Sequence, residues 1–150
     1  MTPPAPLPAA IYQTHRVTLY LDRVDEAREL AERYLSLSTD PMLTFLIRLR
    51  QACAEGRTAD ADAIYDRHEF TAEQDAFANT RWLALKTLGR VEEAQATLRH
   101  LDTPETLYAL ASHLTYSHFD PRPHPNLRAL LEEQGVMRNE PGPINFACQR

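Results

Sequence analysis

The chain has little glycine. Four glycines against eleven prolines leave few permissive positions and many fixed stops, and alternating β-branched runs are almost absent. That balance favours helices with sharp ends over sheet. Cysteine is scarce as well, and Cys53 and Cys148 are too few for a disulfide framework. No run approaches the roughly twenty apolar residues of a membrane span, and the N-terminus has no basic segment followed by an apolar stretch. Neither a membrane segment nor a secretory signal is expected, and a cytoplasmic location is the default. A net charge of −5 argues against nucleic acid as a partner held through the overall field. There is no Gly-rich phosphate loop, nucleophile elbow or zincin helix, so no catalytic residue and no cofactor is expected.

What is present is a phrase used repeatedly. Asp22-Arg23-Val24-Asp25-Glu26-Ala27, Gly56-Arg57-Thr58-Ala59-Asp60-Ala61 and Gly89-Arg90-Val91-Glu92-Glu93-Ala94 are three copies, with the closing alanines 34 and 33 residues apart. Near-constant spacing indicates a repeat array. In each copy a turn residue stops one helix, an Arg follows, and the next helix opens with acidic residues that complement the positive end of its dipole. The closing Ala, the smallest good helix former, allows two helices to approach closely. Each unit therefore reads as a helical hairpin. With 150 residues and 43% hydrophobic content, the chain is one globular domain by length.

In these residues, together with the helix-ending Pro41 and Pro104, the chain resembles the tetratricopeptide repeat family, whose unit is an antiparallel helix pair of about 34 residues. The resemblance covers roughly Ala9 to Leu101, with a further pair out to Glu133. Where the family prefers a small residue in the middle of each first helix, this chain has His15, Leu49 and Trp82, which implies somewhat splayed pairs. A second resemblance lies in Asp120-Pro121-Arg122, a short amphipathic helix, Gly135 and a tail ending near Phe146-Ala147-Cys148. It is similar to the closing segments of TPR-like arrays in bacterial regulators and sensors. The fold implied is all-α: a right-handed α-solenoid of antiparallel pairs, three TPR-like repeats plus a C-terminal capping pair.

Residues 1–8 carry four prolines and read as an extended arm, 9–134 as the TPR-like helical domain, and 135–150 as an extended tail. Apolar spacings of three and four place helices at about Ala9–Tyr20, Val24–Leu37, Pro41–Glu55 and Thr58–Arg67. Pro41–Glu55, apolar almost all round, is expected to be the most buried. A capping box Thr71-x-x-Gln74 opens a long helix to Leu88, running through Phe77, Trp82 and Leu85. Val91–Leu101, Glu105–Ser117 and Asn126–Gln134 complete the set, and the prolines between Phe119 and Pro125 exclude a helix there.

In the family the groove lined by the first helix of each pair carries the function. Projected onto this chain, it holds Tyr12, Arg16, Leu19, Tyr20, Leu43, Leu46, Arg50, Cys53, Asn79, Leu83 and Lys86. Arg16, Arg50 and Lys86 share one sign in an acidic chain. Such a groove suits a peptide or protein segment with acidic character, because Arg offers a bidentate fork to carboxylates. The bland alternative for each cation is a solvated head over an apolar stem. The partner-binding set is therefore Tyr12, Arg16, Tyr20, Arg50, Asn79, Leu83 and Lys86.

His113 and His118 lie five apart, about 140° around a helix, and cannot share an ion on one. His118, Asp120 and His124 can meet in a loop, but no spacing requires it, and no metal is expected. Trp82, on an apolar helix, reads as core. For the tail two courses are open: Ile144 and Phe146 anchor it along the array, bringing Cys148 towards Cys53, or it covers the last helix pair. The function expected is a protein-interaction scaffold. The alternative is a structural or homodimerising module, part of a larger bacterial regulator or sensor.

Overall fold

The fold was analysed in a computed structural model, which describes residues 7–137, 141–142 and 144–150. The first six residues of the expected arm lie outside that range, and Pro8 takes the first position of a helix, where its missing N–H leaves nothing unpaired. The helices are α1 (Pro8–Tyr20), α2 (Val24–Leu37), α3 (Pro41–Ala54), α4 (Thr58–Arg67), α5 (Ala72–Phe77), α6 (Asn79–Thr87), α7 (Val91–Ala96), α8 (Leu107–Ala111) and α9 (Pro125–Glu133). Short 3-10 turns occupy 99–101 and 112–115, and there is no strand among the described residues. The all-helical expectation holds.

The repeated phrase is one backbone device made three times. Asp22, Gly56 and Gly89 all sit in the left-handed region, at φ of 59°, 74° and 77°. The arginine after each donates its N–H five residues back, Arg23 to Thr18, Arg57 to Ala52 and Arg90 to Leu85, at 3.1, 2.8 and 2.9 Å. This closing bond of a Schellman turn satisfies a carbonyl that the helix end leaves bare. Each arginine then starts the next helix and pairs with an acid three residues on: Glu26 at 3.7 Å, Asp60 at 2.9 Å and Glu93 at 2.6 Å. Ala27, Ala61 and Ala94 are completely buried, so the small side chain is used for close packing in every copy.

The described residues group into two compact units: Met1–Glu69 with Thr87–Gly89 and Asn145–Arg150, and Phe70–Lys86 with Arg90–Ile144. In the first, α3 packs against α1, α2 and α4. Asp40 caps it by accepting the N–H groups of Met42 and Leu43, with Pro41 in the first turn. Eight of its residues are buried, from Phe45 to Cys53, as its nearly uniform hydrophobicity leads one to expect. Ile47 and Leu49 are fully enclosed, and each contributes roughly 1.5–3 kcal/mol of burial. His15 and Leu49, which stand where the family has small residues, are both 0% exposed.

In the second unit the long helix expected from Thr71 to Leu88 is two. The capping box forms as expected, but Ala78 takes the left-handed conformation at φ 54° and ends α5. Alanine is the best helix former, so nothing local marks this break. The break places Arg81 over the Phe70 ring and 2.9 Å from Asp75. Residues six apart on a continuous helix point about 120° away from each other, so unbroken helix would not make that pair. The Phe77 side chain lies outside the described residues. Two further expected helices are shorter than their apolar patterns, α7 ending at Ala96 and α8 at Ala111. Asp102 caps α9 from a distance, its carboxylate accepting the N–H groups of Asn126 and Leu127 at 3.1 and 2.9 Å. Trp82 is 1% exposed and sits among His113, Tyr116, His118 and Phe119. It is core, as its helix suggests.

Candidate functional site

Spacing of four places Tyr12, Arg16 and Tyr20 on one stripe of α1, and Arg50 and Cys53 lie one turn apart on α3. Arg50 is not a solvated head over a stem: it is 5% exposed. Its Nη2 donates to the Tyr12 hydroxyl at 2.5 Å, and its guanidinium carbon lies 4.5 Å from the centre of that same ring. No carboxylate of the described residues pairs with it. Its Nη1 and the Arg16 Nε are buried without hydrogen-bond partners among the described residues. Burial lowers the Arg50 pKa, the Tyr12 hydroxyl opposes that shift, and the neighbouring Arg16 charge reinforces it. An ion taken out of water without a counter-ion costs several kcal/mol, and unsatisfied donors add to that. The chemistry such N–H groups suit is that of an anion, since a carboxylate matches the fork of a guanidinium.

His15, on the same helix, does not add to this positive charge. Its Nε2 lies 2.9 Å from Gln51 Oε1, whose amide nitrogen donates to the Val24 carbonyl at 3.2 Å. Gln51 therefore presents its oxygen, and His15 carries its proton on Nε2. Burial, with Arg50 nearby, lowers its pKa to about 4 despite the Gln51 hydrogen bond.

The tail is held in this first unit. Cys148 forms a disulfide with Cys53, and Phe146 meets Tyr20 edge to face at 5.0 Å. Asn145 Nδ2 donates to the Tyr20 and Leu19 carbonyls at the end of α1, at 3.0 and 3.3 Å. Cys148 N–H donates to the Thr87 carbonyl at 2.7 Å and Arg150 Nε to the Leu88 carbonyl at 2.6 Å. Arg150 also pairs with Asp62 at 2.5 Å, and Thr58 donates to the Gln149 carbonyl at 3.2 Å. The last six residues thus touch the second and third copies of the turn phrase and the end of α1, just before the first. Gly89 makes room for them: a Cβ there would stand 2.8 Å from the Cys148 carbonyl oxygen. Of the two courses open to the tail, covering the last helix pair is overturned for 145–150, which dock on the first pairs. Ile144, the other expected anchor, is buried and groups with the second unit. Cys53 and Cys148 are one bond rather than two unrelated thiols, a pairing that a count of two left unread.

The remaining expected site residues belong to the second unit. Asn79 Nδ2 donates to the Tyr116 hydroxyl at 3.3 Å, and Leu83 is partly buried. Burial lowers the Lys86 pKa, with Asp120 opposing. The structure brings Tyr12, Arg16, Tyr20 and Arg50 together; Asn79, Leu83 and Lys86 are arranged with a different set of neighbours. His118 stacks on Trp82 and His124 on Phe119, while Asp120 is taken by the Arg122 guanidinium and backbone N–H at 2.8 and 3.0 Å. Among the described residues no three His, Cys, Asp or Glu side chains come together as a metal-ligand set. A cavity of about 520 Å³ in this unit is lined by Asn79, Tyr108, His113 and Tyr116 among others, and not by His118, Asp120 or His124.

No family model matches the chain, and no curated protein or solved structure matches it either. No helix of the described residues is long and apolar enough to cross a membrane.

Proposed function

We propose that the chain is a TPR-like repeat scaffold, a right-handed solenoid of helix pairs, that binds a peptide or partner segment of acidic character. No catalytic role and no cofactor is assigned to it. Support for the repeat comes from the turn device made three times with the same backbone, the same arginine–acid pair and the same buried alanine. The single observation that carries the function is Arg50, a buried guanidinium beside Arg16 and the Tyr12 ring with no carboxylate of the described residues on it. A fold retains such a charge at a cost in stability, and a ligand carboxylate would remove that cost. The proposed location is the cytoplasm, where a disulfide such as Cys53–Cys148 is a transient rather than a permanent bond.

The test is fluorescence anisotropy with a labelled tetraglutamate peptide at low and moderate salt. Binding that weakens about tenfold in Arg50→Gln, a loss of roughly 1.4 kcal/mol, supports the reading. Equal binding by wild type and Arg50→Gln, or none by wild type, overturns it.

A further inference from the structure

The tail occupies the continuation of the arginine face. Tyr20, which Phe146 touches, lies one turn beyond Arg16 on α1, and Cys53, which holds Cys148, lies one turn beyond Arg50 on α3. A segment bound at Arg16 and Arg50 and running along these two helices therefore meets residues already seated there. What seats them has a recognisable chemistry. An amide side chain satisfies the last carbonyls of α1, and an aromatic ring packs on Tyr20. Both are interactions that another extended segment can make, and the tail itself has no helical structure to unfold before leaving. The disulfide is the one covalent hold on the tail, added to the hydrogen bonds and ion pair of Cys148, Gln149 and Arg150.

We propose that the strip filled by residues 145–150 is the second half of the peptide site, vacated on reduction of Cys53–Cys148 and then filled by a partner segment with an amide beside an aromatic ring. This deepens the function proposed above and rests on it. The reductant is a dithiol. One of its thiolates attacks a sulfur of the disulfide and the S–S bond breaks. The departing cysteine sulfur takes the electron pair and a proton, and the second thiol resolves the mixed disulfide. The protein ends with two thiols and the reductant with a new disulfide. Cys53 and Cys148 are only 3% and 5% exposed, so attack follows local lifting of the tail, and reduction is slow unless something competes for the strip. A segment that binds the arginines and the strip together gains from both, while one that binds the arginines alone gains nothing from reduction.

Two labelled probes separate these cases: tetraglutamate, and a peptide joining four glutamates, at either end, to the sequence Ile-Asn-Phe-Ala-Ser. They are titrated into oxidised wild type, wild type reduced by dithiothreitol, Cys148→Ser, and the chain truncated before Asn145, with helicity checked by circular dichroism and thiols counted by alkylation. The expected result is unchanged tetraglutamate binding in all four, and binding of the longer probe at least tenfold tighter in the three released forms. Equal binding of the longer probe by oxidised and released forms, with tetraglutamate still bound, overturns the gating and leaves the arginine site standing. If neither probe binds any form, both proposals fall. Loss of helicity in the reduced and truncated forms alike also overturns the gating, because the tail is then a fixed part of the fold.

Discussion

Arg50 and Tyr12 touch twice, the guanidinium donating to the hydroxyl at 2.5 Å and its carbon lying 4.5 Å from the ring centre. A cation–π contact of this kind is worth about 2 kcal/mol when desolvated, less than the several kcal/mol an unpaired buried ion costs. Arg50 is therefore expected to be retained against stability. Arg50→Met, which keeps the length and removes the charge, should raise the denaturation midpoint or leave it unchanged while weakening acidic-peptide binding at least tenfold. A destabilisation of more than about 2 kcal/mol in urea would mean that Arg50 holds the fold instead.

Acid should weaken the fold through its buried histidines. His15 has a folded pKa of about 4 against an ordinary 6.5, and burial lowers His113 and His124 as well. Between pH 6.5 and 4 the unfolded chain binds a proton at His15 that the folded chain does not, so stability rises with pH across that window and is lost on acidification. For His15 the slope approaches about 1.4 kcal/mol per pH unit, and His113 and His124 add in the same direction. Urea midpoints measured from pH 7 to 4.5 should fall steadily, and His15→Gln should flatten the profile by about one proton's worth.

The three turn residues offer matched substitutions. Gly56 and Gly89 have nearly the same φ, but a Cβ at Gly56 meets nothing within 4 Å, whereas one at Gly89 collides with the tail. Gly56→Ala should cost the left-handed penalty alone, about 1–2 kcal/mol, and Gly89→Ala more than that. Asp22→Gly, relieving a non-glycine residue at φ 59°, should stabilise by up to about 1 kcal/mol. Equal losses at Gly56 and Gly89 would count against the tail's seat.

Asp102 should behave as a helix cap even though 24 residues separate it from the helix it caps. Asp102→Ala frees the N–H groups of Asn126 and Leu127 and is expected to cost about 0.5–2 kcal/mol, with Asp102→Asn recovering part of it. Chemical denaturation of the three proteins decides this.

Much of the fold was legible because it is local. A left-handed turn residue, an arginine and a first-turn acid act within one turn of backbone, so Asp22-Arg23, Gly56-Arg57 and Gly89-Arg90 could be read from types and spacing alone. The stripe Tyr12, Arg16, Tyr20 on α1 was legible for the same reason. The break at Ala78 was not, since its contacts, Arg81 on Phe70 and Asp75, arise only once the chain has turned. The register places Arg50 in the expected groove set, yet only packing takes it out of water.

By itself the sequence determined that this chain is helical, where most of its helices begin, and how three of its turns are built, because propensities, caps and left-handed positions depend on near neighbours. The tertiary structure alone decided which cation would lose its water and which face the last six residues would cover. Those outcomes depend on residues distant in sequence, such as Tyr12 and Arg50 or Cys53 and Cys148, whose meeting is a property of how helices pack and not of any one segment.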